Sequence, residues 1–246
     1  MTEHFFVVTP CRNAAQWIGR CIASVRMQTH PEWEMVVIDD ASDDDTFRVA
    51  QEAAAGDERI RIVRNNVRRY ALANAVSAIN RYARHDAIIA MLDGDDRLSD
   101  SAALAAVTDA YRRDTRLDAL WTAHAHDDGA RAPLCRAIPP GVSPLDSDWR
   151  SSHLKTFRKR LLWGVDRRIW RDAKGEWPRS AYDVALYLPV LCLPGNSASS
   201  TASAMSTIVR PAAITSTPSR PRTRTRYGTG CAKPRRAARG RTSSSL

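Results

Sequence analysis

The stretch Asp86-Ala-Ile-Ile-Ala-Met-Leu-Asp93-Gly94-Asp95-Asp96 decides how the rest of the chain is read. Residues 87–92 are apolar without alternation, as in a strand buried on both faces. The run stops at Asp93, Asp95 and Asp96, three carboxylates within four positions. Burying that many like charges is costly, so they belong in solvent, at the carboxyl end of a strand, or around a cation. Ligands of open α/β sheets bind at those carboxyl ends. A hard divalent ion such as Mn²⁺ or Mg²⁺ takes carboxylate oxygens and keeps positions open for phosphate. Gly94 allows a sharp turn, which lets Asp93 and Asp95 face one point. Taken alone, an Asp-x-Asp is also readable as a solvated acidic turn.

The flanking chain supplies more strands of the same kind. Residues 5–9 form a short apolar strand closed by Pro10, and 14–28 carry Trp17, Ile18, Cys21, Ile22 and Val25 at helical spacing. Residues 34–38 predict a second strand that ends in Asp39-Asp40-Ala-Ser42, and 43–46 open a helix to about residue 55 with acids at its N-terminus. A third strand over 60–63 and a helix over 71–82 lead into the central run. Ser99 or Asp100 caps a helix through 102–111, and 117–121 gives another strand. Strand–helix units in this succession predict a doubly wound, mostly parallel sheet with right-handed crossovers. Thr9, Asp40, Asp93 and Asp95 then fall at strand ends. A carboxylate after the second strand is where such folds recognise a nucleoside. No Gly-x-Gly-x-x-Gly or Gly-Lys-Ser loop is present, so phosphate is expected on a metal, as with a nucleotide-sugar donor.

The net charge of +10 belongs to one end of the 246-residue chain. Residues 196–246 hold nine Arg, one Lys and no acid, which leaves 27 basic residues against 27 acidic ones in 1–195. The first 195 residues therefore read as a neutral globular body rather than a nucleic-acid binder. Cys11, Cys21, Cys135, Cys192 and Cys231 form no metal spacing and no even set, which points to a reducing compartment. There is no signal-peptide pattern and no apolar run near 18 residues, so the expectation is a cytoplasmic protein.

Four blocks in order resemble the family 2 glycosyltransferases of bacterial type, which have the GT-A fold. Residues 7–13, Val-Val-Thr-Pro-Cys-Arg-Asn, are similar to their opening strand and turn, and residues 28–46, ending Asp39-Asp40-Ala-Ser-Asp-Asp-Asp-Thr46, to their most recognisable block. Arg68-Arg-Tyr-Ala-Leu-Ala-Asn74 and Leu92-Asp-Gly-Asp-Asp96 resemble the segment before the metal strand and the metal motif. The resemblance covers about residues 4–195. It implies that Thr9 and Asp40 contact the donor base, that Arg69 contacts base or diphosphate, that Asp95 binds Mn²⁺ or Mg²⁺, and that Asp93 touches ribose or metal. The implied donor is a nucleotide sugar, foremost a UDP-sugar, and the acceptor a saccharide or other hydroxyl.

Residues 1–122 would be the nucleotide-binding half and 123–195 the acceptor half. The proline-bearing stretch 123–152 reads as loop, and His124 and His126 as loop residues. Residues 152–162 resemble an acceptor-side segment, where His153 and Arg158 face the diphosphate or acceptor, or are exposed charges on a helix. Tyr182-Asp183 stands where many relatives have Glu-Asp. By that resemblance Asp183 is the general base of an inverting transfer, or else a helix cap beside Ser180. Asp172 and Glu176 are the nearest alternative bases. From Asn196 hydrophobic periodicity vanishes, and the segment is expected to be a disordered basic tail or the product of a shifted reading frame. Contact of this tail with nucleic acid or an anionic membrane ranks below those readings. The runner-up to an active transferase is a truncated, inactive domain that only holds nucleotide.

Overall fold

The computed structural model of the protein describes residues 3–126, 136–139, 141–149, 151, 153–193, 197–200 and 206–210. Strands β1 (Phe5–Cys11), β2 (Trp33–Asp39), β3 (Ile60–Arg64) and β4 (Ile88–Met91) alternate with helices α1 (Ile18–Arg26), α2 (Thr46–Ala54) and α3 (Ala71–Tyr82). A short β5 (Arg97–Leu98), α4 (Ala103–Arg113), β6 (Leu117–Trp121) and β7 (Ala123–His126) follow. Then come β8 (Lys155–Arg158), two 3-10 turns at Lys159–Trp163 and Arg167–Trp170, α5 (Tyr182–Leu191), β9 (Ser197–Ser200) and β10 (Ser206–Arg210). The main sheet runs β3-β2-β1-β4-β8-β6-β9, and only β8 is antiparallel to its neighbours. A small sheet, β5-β10-β7, lies apart from it.

The unbroken apolar strands exist because helices cover both faces of the sheet. Phe5, Val7, Met35, Val37, Ile88 and Ala90 pack on one side with Ile18, Ile22 and Val25 of α1 and Leu104 and Val107 of α4. Their alternates Phe6, Val8, Val36, Ile38, Ile89 and Met91 pack on the other with Leu72, Val76 and Ile79 of α3 and Leu186, Tyr187 and Val190 of α5. Each strand thus feeds two cores, which is the doubly wound architecture expected.

The second half differs from expectation in two places. Residues 123–126, read as loop, form β7, paired to β10. Residues 155–158, read without a strand, form β8 and insert between β4 and β6. Lys-Thr-Phe-Arg holds a single apolar residue, so hydrophobic pattern gave no strand signal. The polar residues are tolerated because they are satisfied: Thr156 Oγ1 donates to the Leu120 carbonyl at 3.1 Å and lies 3.0 Å from the Tyr111 hydroxyl. Within the segment 196–246, expected to be a disordered or frame-shifted tail, residues 197–200 form β9, paired to β6, and residues 206–210 form β10, paired to β5 and β7; the rest of that segment lies outside the described residues. Among the described residues no helix is long and apolar enough to cross a membrane.

Helix α5 carries Pro189, which has no N–H for the carbonyl of Ala185. The indole N–H of buried Trp170 donates to that carbonyl instead, at 3.1 Å. Trp170→Phe keeps the ring beside Trp177 but orphans a buried acceptor. The expected loss is about 1–3 kcal/mol, read as a lower thermal midpoint. Adding Pro189→Ala, which restores a backbone donor, should recover part of it; no recovery would mean the indole bond is not what stabilises the helix.

Candidate active site

Strand β4 delivers the acidic turn to the carboxyl edge of the sheet. The amide of Leu92 still bonds the Val8 carbonyl at 3.2 Å, and the chain then turns, with Asp96 N–H donating to the Asp93 carbonyl at 3.0 Å. A Cβ on Gly94 would lie 2.5 Å from the Cβ of Cys11, so the turn closes on the end of β1 only with glycine. Asp93, Asp96 and His153 each bring one ligand atom to within 4.8 Å of the others. Asp96 is 1% exposed and His153 7%. Two carboxylates and an imidazole form a donor set that fits a divalent ion. Asp95, half-buried on the same turn, is not in that group.

His153 comes from the residues just before β8, and its Nδ1 lies 3.9 Å from Asp96 Oδ2. Its Nε2 is 3.4 Å from Nζ of Lys155, the first residue of β8, and that ammonium is 3.2 Å from Asp183 Oδ2. Lys155 is 1% exposed and also lies over the Trp149 ring. Asp183 sits in the first turn of α5. Before it, Tyr182 donates its hydroxyl to Asp93 Oδ1. Burial and the neighbouring Asp93 push the Tyr182 phenol well above its ordinary range, so it stays a donor. Ser180 does not cap this helix: the N-cap position is Ala181, at φ 53°, with no side-chain cap bond. The structure therefore brings Asp93, His153 and Asp183 together, and joins them to Asp96, Tyr182 and Lys155.

A second network lies at the end of β2. Asp40 Oδ1 accepts from Asn65 Nδ2 and the Arg69 amide, both at 2.8 Å, and Oδ2 accepts from the Tyr70 amide at 2.8 Å. Burial alone would raise this carboxyl, but the amides of Asn74 and Asn65 and the two backbone N–H groups hold it below the usual carboxylate range. Asp39 beside it holds the turn, accepting from the Ser42 amide at 3.1 Å and facing Arg64 at 3.3 Å. The Arg69 side chain is exposed; its backbone makes the contact. Thr9 is fully buried, and its Oγ1 has no hydrogen-bond partner among the described residues.

Arg158 is not brought to this edge. It pairs with Ile88 at the start of β4, and its guanidinium lies against Glu3 at 3.0 Å and under Tyr111. The antiparallel sense of β8 sends Lys155 to the site and Arg158 to the opposite end of the sheet. Sequence reasoning missed Lys155 and Tyr182. Their partners are 28 and 89 residues away, so no local pattern marks them. Asp96 carried a signal, as the third acid of the turn.

Residues 6–164 match the model of Glycosyl transferase family 2. Among curated proteins, the chain is 37% identical over 91 residues to UDP-Glc:alpha-D-GlcNAc-diphosphoundecaprenol beta-1,3-glucosyltransferase WfgD of Escherichia coli, covering 37% of this chain and 34% of that protein. It is 30% identical over 122 residues to the chondroitin synthase of Escherichia coli, covering 50% of this chain and 17% of that one. The chain spans 35% or less of the length of the curated relatives it matches. Among solved structures, S. aureus TarS in complex with UDP-GlcNAc superposes with a TM-score of 0.65 at 20% identity, over 85% of this chain and 58% of that one. A mannosyltransferase of Pyrobaculum calidifontis in complex with GDP-Man and Mn²⁺ superposes with a TM-score of 0.59 at 18% identity, over 89% and 59%. At these identities the structural likeness speaks for the fold, which is GT-A.

The Asp40 network makes a pH-dependent contribution to stability. A carboxyl held below its unfolded value of about 3.9 contributes fully above that value and loses its contribution as pH falls through the lower folded one. Asp40→Asn presents an NH₂ to backbone N–H groups, with an expected cost of about 1–3 kcal/mol near neutral pH. The gap in urea midpoints between wild type and variant should narrow as pH drops below about 4; a gap independent of pH would show that the charge is not involved.

Proposed function

Because the chain belongs to glycosyl transferase family 2, we propose that it moves a sugar from a nucleotide-sugar donor, foremost a UDP-sugar, to a hydroxyl of a saccharide or similar acceptor. The observation that carries this reading is the meeting, at the carboxyl edge of the sheet, of the Asp93–Asp96–His153 group with Asp183 from α5. The nucleoside end of the donor is assigned to the end of β2 and β1, at Asp40, the 65–70 loop and Thr9. A buried Thr9 hydroxyl without a hydrogen-bond partner among the described residues supports a polar ligand group there. Because both Asp40 oxygens already hold backbone and Asn65 donors, Asp40 is assigned to shaping the loop as well as to the base.

Asp93, Asp96 and His153 would hold a divalent ion, Mn²⁺ or Mg²⁺, and Asp95 on the same turn is the further carboxylate that the family resemblance assigns to it. Such an ion supplies charge neutralisation for a departing diphosphate. The reaction proposed is an inverting displacement. Asp183 accepts the proton of the acceptor hydroxyl as its oxygen attacks the anomeric carbon, and the bond from that carbon to the nucleoside diphosphate breaks, its electron pair leaving with phosphate. Lys155 keeps the Asp183 carboxylate in place and adds positive charge beside it.

Two substitutions separate the roles. Asp183→Asn should bind UDP with Mn²⁺ nearly as wild type does, yet transfer sugar slower by on the order of 10²–10⁴. Equal transfer rates would remove Asp183 from the chemistry and turn attention to Asp172 and Glu176. In thermal-shift titrations with UDP, Asp93→Asn and Asp95→Asn should each lose the Mn²⁺-dependent stabilisation, since an amide is a poor ligand for a hard cation. Retention in Asp95→Asn would confine the ion to Asp93, Asp96 and His153. A wild-type chain that binds UDP with Mn²⁺ but neither hydrolyses nor transfers any donor sugar would be a nucleotide-binding domain only.

A further inference from the structure

Ion binding and proton abstraction are assigned to opposite parts of the chain, yet their side chains form one closed circuit. Asp93 accepts from Tyr182; Tyr182 adjoins Asp183; Asp183 pairs with Lys155 at 3.2 Å; Lys155 reaches His153 at 3.4 Å. His153 faces Asp96 at 3.9 Å, and Asp96 bonds back to Asp93 through the backbone at 3.0 Å. The first turn of α5 is anchored by Ala185, whose amide donates to the Ala181 carbonyl at 3.0 Å and whose carbonyl accepts from Trp170, but no side chain caps it. Its N-cap, Ala181, offers no side-chain bond and holds a left-handed φ of 53°, a conformation that costs a non-glycine residue energy and persists only where surroundings impose it. The segment before it, 171–181, is largely exposed and contains no helix or strand.

We propose that Tyr182 and Lys155 are positioning residues that couple occupancy of the Asp93–Asp96–His153 site to the placement of Asp183, so that the base is set only when the ion is bound. The inference rests on the divalent-ion reading above. Its direction follows from two contacts. The Tyr182 hydroxyl donates to Asp93 Oδ1 and fixes the orientation of the carboxylate. A pre-ordered ligand binds more tightly because less ordering remains to be done. By linkage the ion then strengthens the tether by the same factor. On the other side, a divalent charge beside His153 repels the Lys155 ammonium, and the carboxylate that receives it is Asp183. Both contacts tighten the first turn of α5, although α5 contributes no residue to the ligand group.

The test is hydrogen–deuterium exchange on the full chain, followed in peptides spanning 182–192, with Mn²⁺ uptake measured in parallel by electron paramagnetic resonance. Mn²⁺ should slow exchange in that segment by on the order of 5–100-fold, the usual range of coupling between sites. In Tyr182→Phe, which loses only a hydroxyl, the slowing should disappear and Mn²⁺ affinity should fall by a similar factor. Lys155→Arg should retain the slowing and Lys155→Met should lose it, so that a misfolded Tyr182 variant would not leave the question open. Mn²⁺ uptake by wild type with no change over 182–192 overturns the coupling and leaves the ion site intact. So does full slowing in both Tyr182→Phe and Lys155→Met. No Mn²⁺ uptake by wild type overturns the ion reading itself, and the coupling with it.

Discussion

A strand buried on both faces holds charge only near its ends or where a partner offsets it, and that constraint arranges everything else here. With helices on either side, the central residues of β1, β2 and β4 are apolar, and the acids of the site stand at the carboxyl ends of β2 and β4. Three parallel strands side by side bring three such ends to one edge. Asp40 and the Asp93–Asp96 turn come to the same edge of the sheet without any sequence proximity, because β1 lies between β2 and β4. The close approach of Gly94 to Cys11 then locks the acidic turn against β1 and sets its height above the sheet.

Residues 1–122 were legible for that reason. Apolar runs with turn signals between them specify strands by composition alone, and helices α1, α3 and α4 carry their core residues at regular spacing. Asp40, Asp93 and Thr9 could be named because strand ends are visible in the sequence. The role of Arg69 was less visible: its exposed side chain carries the charge that draws notice, while its backbone N–H makes the bond. Side-chain type says nothing about amide direction, which the loop conformation decides, including the positive φ of 67° at Tyr70.

Residues 123–195 obey a different rule, and the reading weakened there. Strand β8 is buried though it is mostly polar, which costs free energy unless each group finds a partner. Lys155 shows the terms. An ammonium removed from water is costly by several kcal/mol even after relaxation, and here Asp183, His153 and the Trp149 face offset that cost together. Such partners are supplied by topology: the residue beside Met91 in register is Lys155, and the helix above it is α5. A period-two or 3.6-residue pattern carries no trace of this, and Arg158 in the same strand read as a contact of diphosphate or acceptor or as an exposed helix charge.

The two polar networks at the sheet edge differ in kind, and the difference bears on what each can do. Around Asp40 every carboxylate oxygen is engaged by a short, directed bond to the 65–70 loop, so the network is a rigid frame whose geometry is set before any ligand enters. Rigid frames of this sort hold a binding surface within tight tolerance. Around Asp93 and Asp183 the contacts vary in length, from the Tyr182 hydroxyl on Asp93 to separations of 3.2, 3.4 and 3.9 Å, and they run between the turn after β4, the start of β8 and α5. Charge–charge interactions across separate elements are the ones whose strength changes most when a cation arrives, because they scale with the low local dielectric and not with packing. The first network is therefore suited to recognition and the second to response. The proposed donor recognition and base placement would divide along the same line that divides the half of the chain written in hydrophobic pattern from the half written in long-range polar contacts.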